Sequence, residues 1–150
     1  ERVEQVQWDI PDIDVWSERL DQVLRHSSQP TLIVAHSFGC LATVHRISRG
    51  VDNLIGALLV APADPDKFGV AEHVLDIALP CPSILIGSAD DPWMDSRRAA
   101  YWADLWQCEF LNAGTLGHIN AESGLGDWAY GLSQLQRLVL TVETTRLSAQ

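Results

Sequence analysis

Three kinds of side chain that cooperate in nucleophilic catalysis occur along this chain, and each kind follows a run of apolar residues. In chain order they are the serine Ser37, the adjacent carboxylates Asp90 and Asp91, and the histidine His118. A serine hydroxyl is a weak nucleophile unless a neighbouring imidazole accepts its proton, and that imidazole needs a carboxylate to fix its tautomer. The residue types therefore predict acyl transfer through Ser37.

The sequence around Ser37 is typical of a nucleophile elbow, in which a strand turns sharply into a helix. The residues two positions before and after the serine are small, Ala35 and Gly39, and such a turn is expected to bring them into near contact. The turn would expose the Ser37 hydroxyl and place the Phe38 N–H at a helix start, where it could stabilise a developing negative charge. Similar strings occur at ordinary strand-to-helix turns, so from this pattern alone a purely structural serine stays open.

The acid and the base each have alternatives in the sequence. An aspartate before proline most often forms a turn, and Asp95 is placed to cap the next helix. His118 is the predicted base because it lies in a glycine-containing loop after a predicted strand. His36, next to the serine, is expected to point away from the serine's site. The order serine, acid, histidine is that of the α/β-hydrolase triad. No catalytic role is predicted for the other histidines, His26, His45 and His73.

Alternating apolar runs and amphipathic stretches predict a fold of the α/β class. Strand and helix alternate, which indicates an open parallel sheet with helices on both faces and a ligand site at the carboxyl ends of the strands. Residues 61–78 are weakly patterned and are expected to form loop and short helix. Strands are predicted at 2–8 (an edge strand), 31–34, 54–60, 83–88 and 108–111. Helices are predicted from residue 12 to before Pro30, at 41–49, from about residue 96, and at 132–147.

Length and composition restrict the class of protein. Residues 1–150 are expected to form one domain. Twenty acidic against ten basic residues give a net charge of −10 without any basic cluster, so nucleic acid is not an expected partner. No apolar run is long enough for a membrane span, and a cytoplasmic location is expected. Three widely spaced cysteines, Cys40, Cys81 and Cys108, argue against a disulfide framework and a zinc site.

Four strings of the sequence carry a family resemblance. They are Ala-His-Ser-Phe-Gly-Cys-Leu-Ala at 35–42, Leu-Val-Ala-Pro at 59–62, Asp-Asp-Pro at 90–92 and Gly-His-Ile-Asn-Ala-Glu-Ser-Gly-Leu-Gly-Asp-Trp at 117–128. Together they resemble the small α/β-hydrolases of the YdeN and retinoblastoma-binding serine hydrolase family, over residues 3 to about 138. In that family the acid directly precedes proline, which selects Asp91 over Asp90. The family's serine and histidine correspond to Ser37 and His118.

The chain departs from the family pattern at two places. Ala129 follows Trp128 where the family usually has proline, a change that is expected to be minor. Family members also begin with a strand, a Pro-Gly-containing loop and a tryptophan-bearing helix before the segment that resembles residues 3–8, and that loop would supply a second oxyanion donor. The resemblance therefore leads us to expect on the order of 30 further residues before Glu1, the size of a strand–loop–helix unit.

The expected activity is hydrolysis of a carboxylic ester, or less readily of an amide, through an acyl-serine intermediate. Ser37, Asp91 and His118 would be catalytic, the Phe38 N–H would bind the oxyanion, and no cofactor or metal is implied. The substrate would be a small-molecule ester with a short or exposed acyl group. Two alternatives are a module that binds a protein partner or a second copy of itself, and a hydrolase-like scaffold without activity.

Overall fold

Strands and helices alternate along the chain. The structure is a computed structural model, and it describes residues 1–149. In chain order the elements are α1 (Ile13–Arg25), β1 (Thr31–His36), α2 (Phe38–Ile47), β2 (Leu54–Val60), β3 (Ser83–Gly87), α3 (Ser96–Leu105), β4 (Glu109–Asn112) and α4 (Ala129–Ser148). Short 3-10 turns at Ala71–His73 and Ala121–Ser123 lie in the loops after β2 and β4.

The four strands form one parallel sheet in the order β1-β2-β3-β4. Val34 of β1 pairs with Leu58 of β2, and Leu58 pairs in turn with Ile84 of β3. Helices α1, α2 and α3 cover one face of the sheet, and α4 covers the other. The predicted parallel sheet with helices on both faces is therefore confirmed. Because all strands are parallel, their carboxyl ends meet at one edge of the sheet.

Alternate residues of the central strands belong to different layers of the core. Leu59 and Leu85 are completely buried on the face that α1, α2 and α3 cover, whereas Leu58 and Ile84 pack on the side of α4. Both faces of β2 and β3 are thus covered by helices. This explains why these strands consist of nearly unbroken apolar residues and not of alternating apolar and polar ones.

Helix α1 has the ends and the apolar face that its sequence predicts. The Asp12 carboxylate accepts a hydrogen bond from the Val15 N–H (2.9 Å), which satisfies one of the free donors at the helix start. The helix ends at Arg25, before Pro30. Its buried side packs on α2 through residues at helical spacing, Ile13, Trp16, Leu20 and Leu24.

The edge strand predicted at residues 2–8 is wrong. This segment has no regular secondary structure and lies against α1, where the Glu4 carbonyl accepts a hydrogen bond from Arg19 (3.1 Å). Trp8 packs edge to face on Trp16, with 5.4 Å between the ring centroids. Apolar and polar residues alternate only imperfectly in the segment, so its strand propensity is weak. Its contacts with α1 therefore determine the path of the backbone.

Strand β1 is an edge of the sheet within the described residues. It pairs with β2 along one side, and its Val34 side chain is 56% exposed. A groove of about 640 Å³ runs along its other side, between β1, α1 and the amino-terminal segment. The groove extends to His36 and Gly39, at the carboxyl end of the strand, where the candidate site begins.

Helix α4 begins at Ala129, earlier than the predicted residue 132. The ring of Trp128 lies over Gly131, and a Cβ at that position would be 2.1 Å from a ring carbon, so only glycine fits there. A glycine weakens the helical pattern of the sequence, so the pattern predicts a later start than the structure has. No helix in residues 1–149 is both long enough and apolar enough to cross a membrane.

Leu59→Ala is expected to lower the free energy of unfolding by about 2 to 5 kcal/mol, because it opens a cavity at a completely buried position. The matched control is Val34→Ala on the neighbouring strand. Val34 is largely exposed, so its truncation should cost about 1 kcal/mol or less. Urea unfolding of the two variants measures the difference, and equal losses would contradict the core described here.

Candidate active site

Ser37 lies at the turn where β1 ends and α2 begins. Its φ of 54° and ψ of −127° are outside the regions that non-glycine residues favour. Its N–H donates to the carbonyl of Val60 at the end of β2 (3.1 Å). Helix α2 begins at Phe38 and not at the predicted residue 41, because the turn passes directly into the helix. Strand, strained serine and helix together have the geometry of a nucleophile elbow.

Gly39, one of the two small residues that flank Ser37, has open space beside it. Apart from its own helix and chain neighbours, a Cβ at Gly39 would meet no heavy atom of the described residues within 4 Å. Gly39 borders the groove beside β1, so a larger side chain at this position would have open space around it. The near contact between Ala35 and Gly39 stays a prediction.

Ser37, His118 and Asp91 form a continuous chain of hydrogen bonds. The Ser37 Oγ lies 2.8 Å from Nε2 of His118, and Nδ1 of His118 lies 2.9 and 3.0 Å from the two carboxylate oxygens of Asp91. The residues meet because they follow β1, β4 and β3, which end at the same edge of the sheet. The structure thus brings together the serine, acid and histidine of the sequence prediction. Their catalytic roles stay predictions.

These hydrogen bonds fix the tautomer of His118. A carboxylate can only accept, so the ring proton is on Nδ1, and the lone pair of Nε2 faces the Ser37 hydroxyl. The Asp91 side chain is 1% exposed, and its Oδ1 also accepts from the Trp93 N–H (2.9 Å). A carboxylate held in this way orients the imidazole and can stabilise positive charge on it.

Asp90 has different partners from its neighbour Asp91. Its Oδ1 accepts from the Gly117 N–H (2.8 Å) and lies 2.9 Å from the Ser88 Oγ. The hydrogen bond from Gly117, followed by that from Ser88, lowers the pKa of the Asp90 carboxyl. Asp90 therefore joins the loop after β3 to the loop that carries His118, and it does not contact the imidazole ring of His118.

His36 contacts the site, contrary to the expectation from its position beside Ser37. Its Nε2 lies 2.9 Å from the carbonyl oxygen of His118, and the centroids of the two rings are 4.8 Å apart. His45, by contrast, is buried on α2 and packs edge to face on His73 (5.2 Å). Of these histidines, His36 is the one that sequence reasoning missed. The only indication for it in the sequence is that it ends the strand that carries the serine.

The amino terminus of α2 offers the candidate oxyanion donor. Phe38 is the first residue of the helix, so its N–H has no acceptor inside the helix and lies at the positive end of the helix dipole. Because Phe38 directly follows Ser37, this N–H is next to the hydroxyl that would attack a carbonyl carbon. One backbone donor is therefore available beside the serine.

Three aromatic residues extend from the elbow toward His118, and we call them the aromatic wall: Phe38, Phe68 and Trp93. Ring centroids are 5.3 Å apart between Phe38 and Phe68, and 6.3 Å apart between Phe68 and Trp93. The Trp93 ring is 6.4 Å from the ring of His118 and 51% exposed. The wall therefore offers an accessible apolar surface beside the hydrogen-bonded chain.

Two basic side chains hold the loops around the site, and no sequence pattern predicts either of them. Lys67 Nζ donates to the two main-chain carbonyls that follow Asp91 (3.3 and 3.2 Å). Arg98 on α3 donates from Nε to the buried carboxylate of Asp64 in the loop after β2 (2.6 Å). The partners are 25 to 34 positions apart, so no local pattern indicates them.

The cysteines offer no competing nucleophile at the elbow. All three are free thiols, and burial raises the pKa of Cys40, which lies on α2 close to Ser37. Burial also raises the pKa of Cys108, to about 12. Within residues 1–149, no group of three His, Cys, Asp or Glu side chains is arranged to hold a metal ion. Ser37 is therefore the candidate nucleophile.

A parallel sheet with helices on both faces and a serine elbow after β1 define the α/β-hydrolase class of proteins. The model of the serine hydrolase family matches residues 1–137 of the chain. The chain therefore belongs to the serine hydrolase family, and it is a hydrolase.

Solved structures support this assignment. A YdeN-like hydrolase from Pectobacterium atrosepticum is 37% identical, with a TM-score of 0.90 over 95% of this chain and 77% of that one. The ydeN gene product from B. subtilis is 19% identical, with a TM-score of 0.61 over 76% of this chain and 68% of that one. A monoacylglycerol lipase from Paleococcus ferrophilus is 12% identical, with a TM-score of 0.66 over 86% of this chain and 76% of that one. These last two show the fold alone. No curated protein sequence matches the chain. The resemblance to YdeN-type hydrolases is confirmed.

Asp90→Asn is expected to lower the melting temperature near neutral pH and to change it little in acid. A carboxyl whose pKa is lowered by folding contributes stability above its unfolded-state pKa, about 3.9, and loses it as the pH falls through the lower folded-state value. Thermal melts of the variant and the parent chain between about pH 7 and pH 2 measure the effect.

Asp127→Asn is the control for this titration, because Asp127 is exposed in the loop before α4. It should leave the melting temperature unchanged throughout the range. If the melting temperature of Asp90→Asn is lowered as much at acid pH as at neutral pH, the ionised carboxylate of Asp90 is not what joins the loop after β3 to the loop that carries His118.

Proposed function

We propose that the protein is a serine esterase that cleaves carboxylic esters through an acyl-Ser37 intermediate. The observation that supports this most is the hydrogen-bonded chain from Ser37 to His118 (2.8 Å) and from His118 to Asp91 (2.9 Å), at a strained elbow. This series of hydrogen bonds joins a nucleophile, a base and a carboxylate that orients the base. Amides are less favoured substrates, because an amine is a poorer leaving group than an alcohol.

In the first half of the proposed reaction, the Ser37 Oγ attacks the ester carbonyl carbon while its proton moves to Nε2 of His118. The carbonyl oxygen becomes an oxyanion that the Phe38 N–H stabilises, and Asp91 stabilises the imidazolium. When the bond to the alcohol oxygen breaks, the Nε2 proton passes to that oxygen. The alcohol leaves, and the acyl group remains on Ser37.

Water completes the proposed cycle. His118 Nε2 accepts a proton from a water molecule, and the water oxygen attacks the acyl carbon to form a second oxyanion. As this intermediate collapses, the bond to Ser37 Oγ breaks and the serine regains its proton from Nε2. The two half-reactions together convert an ester and water into a carboxylic acid and an alcohol, so the proposed reaction requires no cofactor.

The proposed substrate is a neutral ester whose acyl group is apolar. The aromatic wall offers a half-exposed apolar surface beside His118, and an acyl chain that packs on it is removed from water. The net charge of −10 disfavours the approach of anionic molecules. Trp93 is the residue of the wall that an entering substrate reaches most easily.

A fluorophosphonate probe is expected to label the wild-type chain at Ser37 and to leave Ser37→Ala unlabelled. The probe reacts with a serine whose hydroxyl is activated by a base, and Ser37 is the serine bonded to His118 Nε2. Mass spectrometry of the labelled peptide identifies the site. Ser133→Ala, at an exposed serine on α4, is the control and should keep full labelling. Undiminished labelling of Ser37→Ala would refute the assignment.

The same labelling assay distinguishes the two aspartates. Asp91→Asn should slow labelling by about 10³-fold or more, since an amide does not hold the productive tautomer of His118. Asp90→Asn should keep most of the rate, because Asp90 bonds to Gly117 and not to the ring. The reverse ranking would assign the acid to Asp90. A wild-type chain that is folded but not labelled would favour the interaction module or the inactive scaffold.

Trp93→Ala is expected to reduce the preference for a longer acyl chain. Two additional methylene groups that pack on the aromatic wall contribute about 0.8 kcal/mol each, so the parent chain should prefer p-nitrophenyl butyrate to the acetate by about 10-fold in kcat/KM. The variant should lose most of this ratio while its N–H at position 93 still bonds to Asp91. Tyr101→Ala, at an exposed aromatic on α3, should leave the ratio unchanged. An unaltered ratio in Trp93→Ala would place the acyl group elsewhere.

A further inference from the structure

The main chain of His118 is held by a side chain that takes no part in the proposed reaction. His36, the last residue of β1, has its Nε2 2.9 Å from the carbonyl oxygen of His118. A carbonyl oxygen only accepts, so Nε2 of His36 carries the hydrogen and donates it. Desolvation by the surrounding chain lowers the pKa of His36, which favours the neutral ring.

This hydrogen bond joins two segments that are far apart in the chain. His36 directly precedes Ser37, and it contacts a residue 82 positions later. The loop around His118 is irregular, with φ values of 59° at Gly117 and 49° at Ile119, and no strand of the sheet fixes it at this point. Side-chain hydrogen bonds such as this one therefore help to fix the position of the His118 main chain.

The hydrogen bonds that the His118 ring makes with Asp91 and Ser37 do not replace the contact made by His36. Asp91 fixes the rotation of the ring through Nδ1, and the Ser37 hydroxyl lies at Nε2. His36 acts on the backbone of the same residue, from the strand that carries the nucleophile. The nucleophile Ser37 and the contact that holds the base His118 are thus both attached to β1. The distance between Ser37 and His118 is constrained at the ring of His118 and also at its main chain.

We propose that His36 is a positioning residue, which holds the His118 main chain at the distance from Ser37 that proton transfer requires. This inference rests on the proposed function. His36 acts through His118 and touches neither the reacting hydroxyl nor the ester. Its function resides in the Nε2–H donor, and not in the bulk of the ring.

Two variants separate the donor from the ring. His36→Phe keeps a flat ring beside His118 but has no donor, whereas His36→Gln has no ring but carries an amide N–H that can reach the same carbonyl. With p-nitrophenyl butyrate, His36→Phe should lower kcat by about 10-fold to 100-fold and leave KM nearly unchanged, because a misplaced base slows the chemical step and not binding. His36→Gln should recover most of that loss.

The control is His26→Phe, at an exposed histidine after α1 that lies outside the site. It should leave kcat and KM unchanged. Melting temperatures of all three variants exclude unfolding as the cause of a lower rate. A His36→Phe enzyme with an unchanged kcat would overturn the proposal, and so would a His36→Gln enzyme as slow as His36→Phe, because the donor would then not matter.

A readout without substrate keeps this test separate from that of the proposed function. Nδ1 of His118 donates a hydrogen bond to the Asp91 carboxylate, and its proton is expected to give a downfield NMR resonance, which His118→Gln identifies by its loss. This resonance should broaden or shift in His36→Phe and return in His36→Gln. If the wild-type chain is not labelled at Ser37, the proposed function fails while the resonance still decides the role of His36. An unaffected resonance in His36→Phe would overturn that role.

Discussion

The strained turn at Ser37 is the constraint on which the rest of the site depends. A φ of 54° at a residue other than glycine costs on the order of 1 to 3 kcal/mol and persists only where packing enforces it. Here β1 is held in register with β2, and α2 is anchored by completely buried side chains such as Leu41 and Val44. Because both ends of the turn are fixed, the serine hydroxyl stays at the edge where β3 and β4 also end.

A large part of this arrangement is predictable from the sequence, because it follows from local patterns. Strands covered on both faces need continuous apolar residues, and β2 begins and ends where its apolar run does. The elbow is visible because strand, serine and helix are adjacent in sequence. The choice between Asp90 and Asp91 is not local, since both follow β3, and the family resemblance was needed to select the one that contacts His118.

The features that the sequence did not reveal depend on partners far away in the chain. Apolar and polar residues alternate imperfectly over residues 2–8, as in a strand. Whether such a segment pairs with a sheet depends on the element beside it, and here that element is α1. His36 and Lys67 each bond to a carbonyl of a distant loop. A main-chain carbonyl is the same at every position, so nothing in the residue types identifies the acceptor.

The distribution of the site over three strands has a consequence for how the chain folds. Ser37 and His118 are 81 positions apart, and His118 and Asp91 are 27 positions apart, so their contacts form only after long segments of the chain have closed. Parallel sheets with such non-local pairings fold slowly compared with helical bundles. A refolding chain would regain its helix content before its assembled site, and in that interval its unpaired apolar strands are exposed to aggregation.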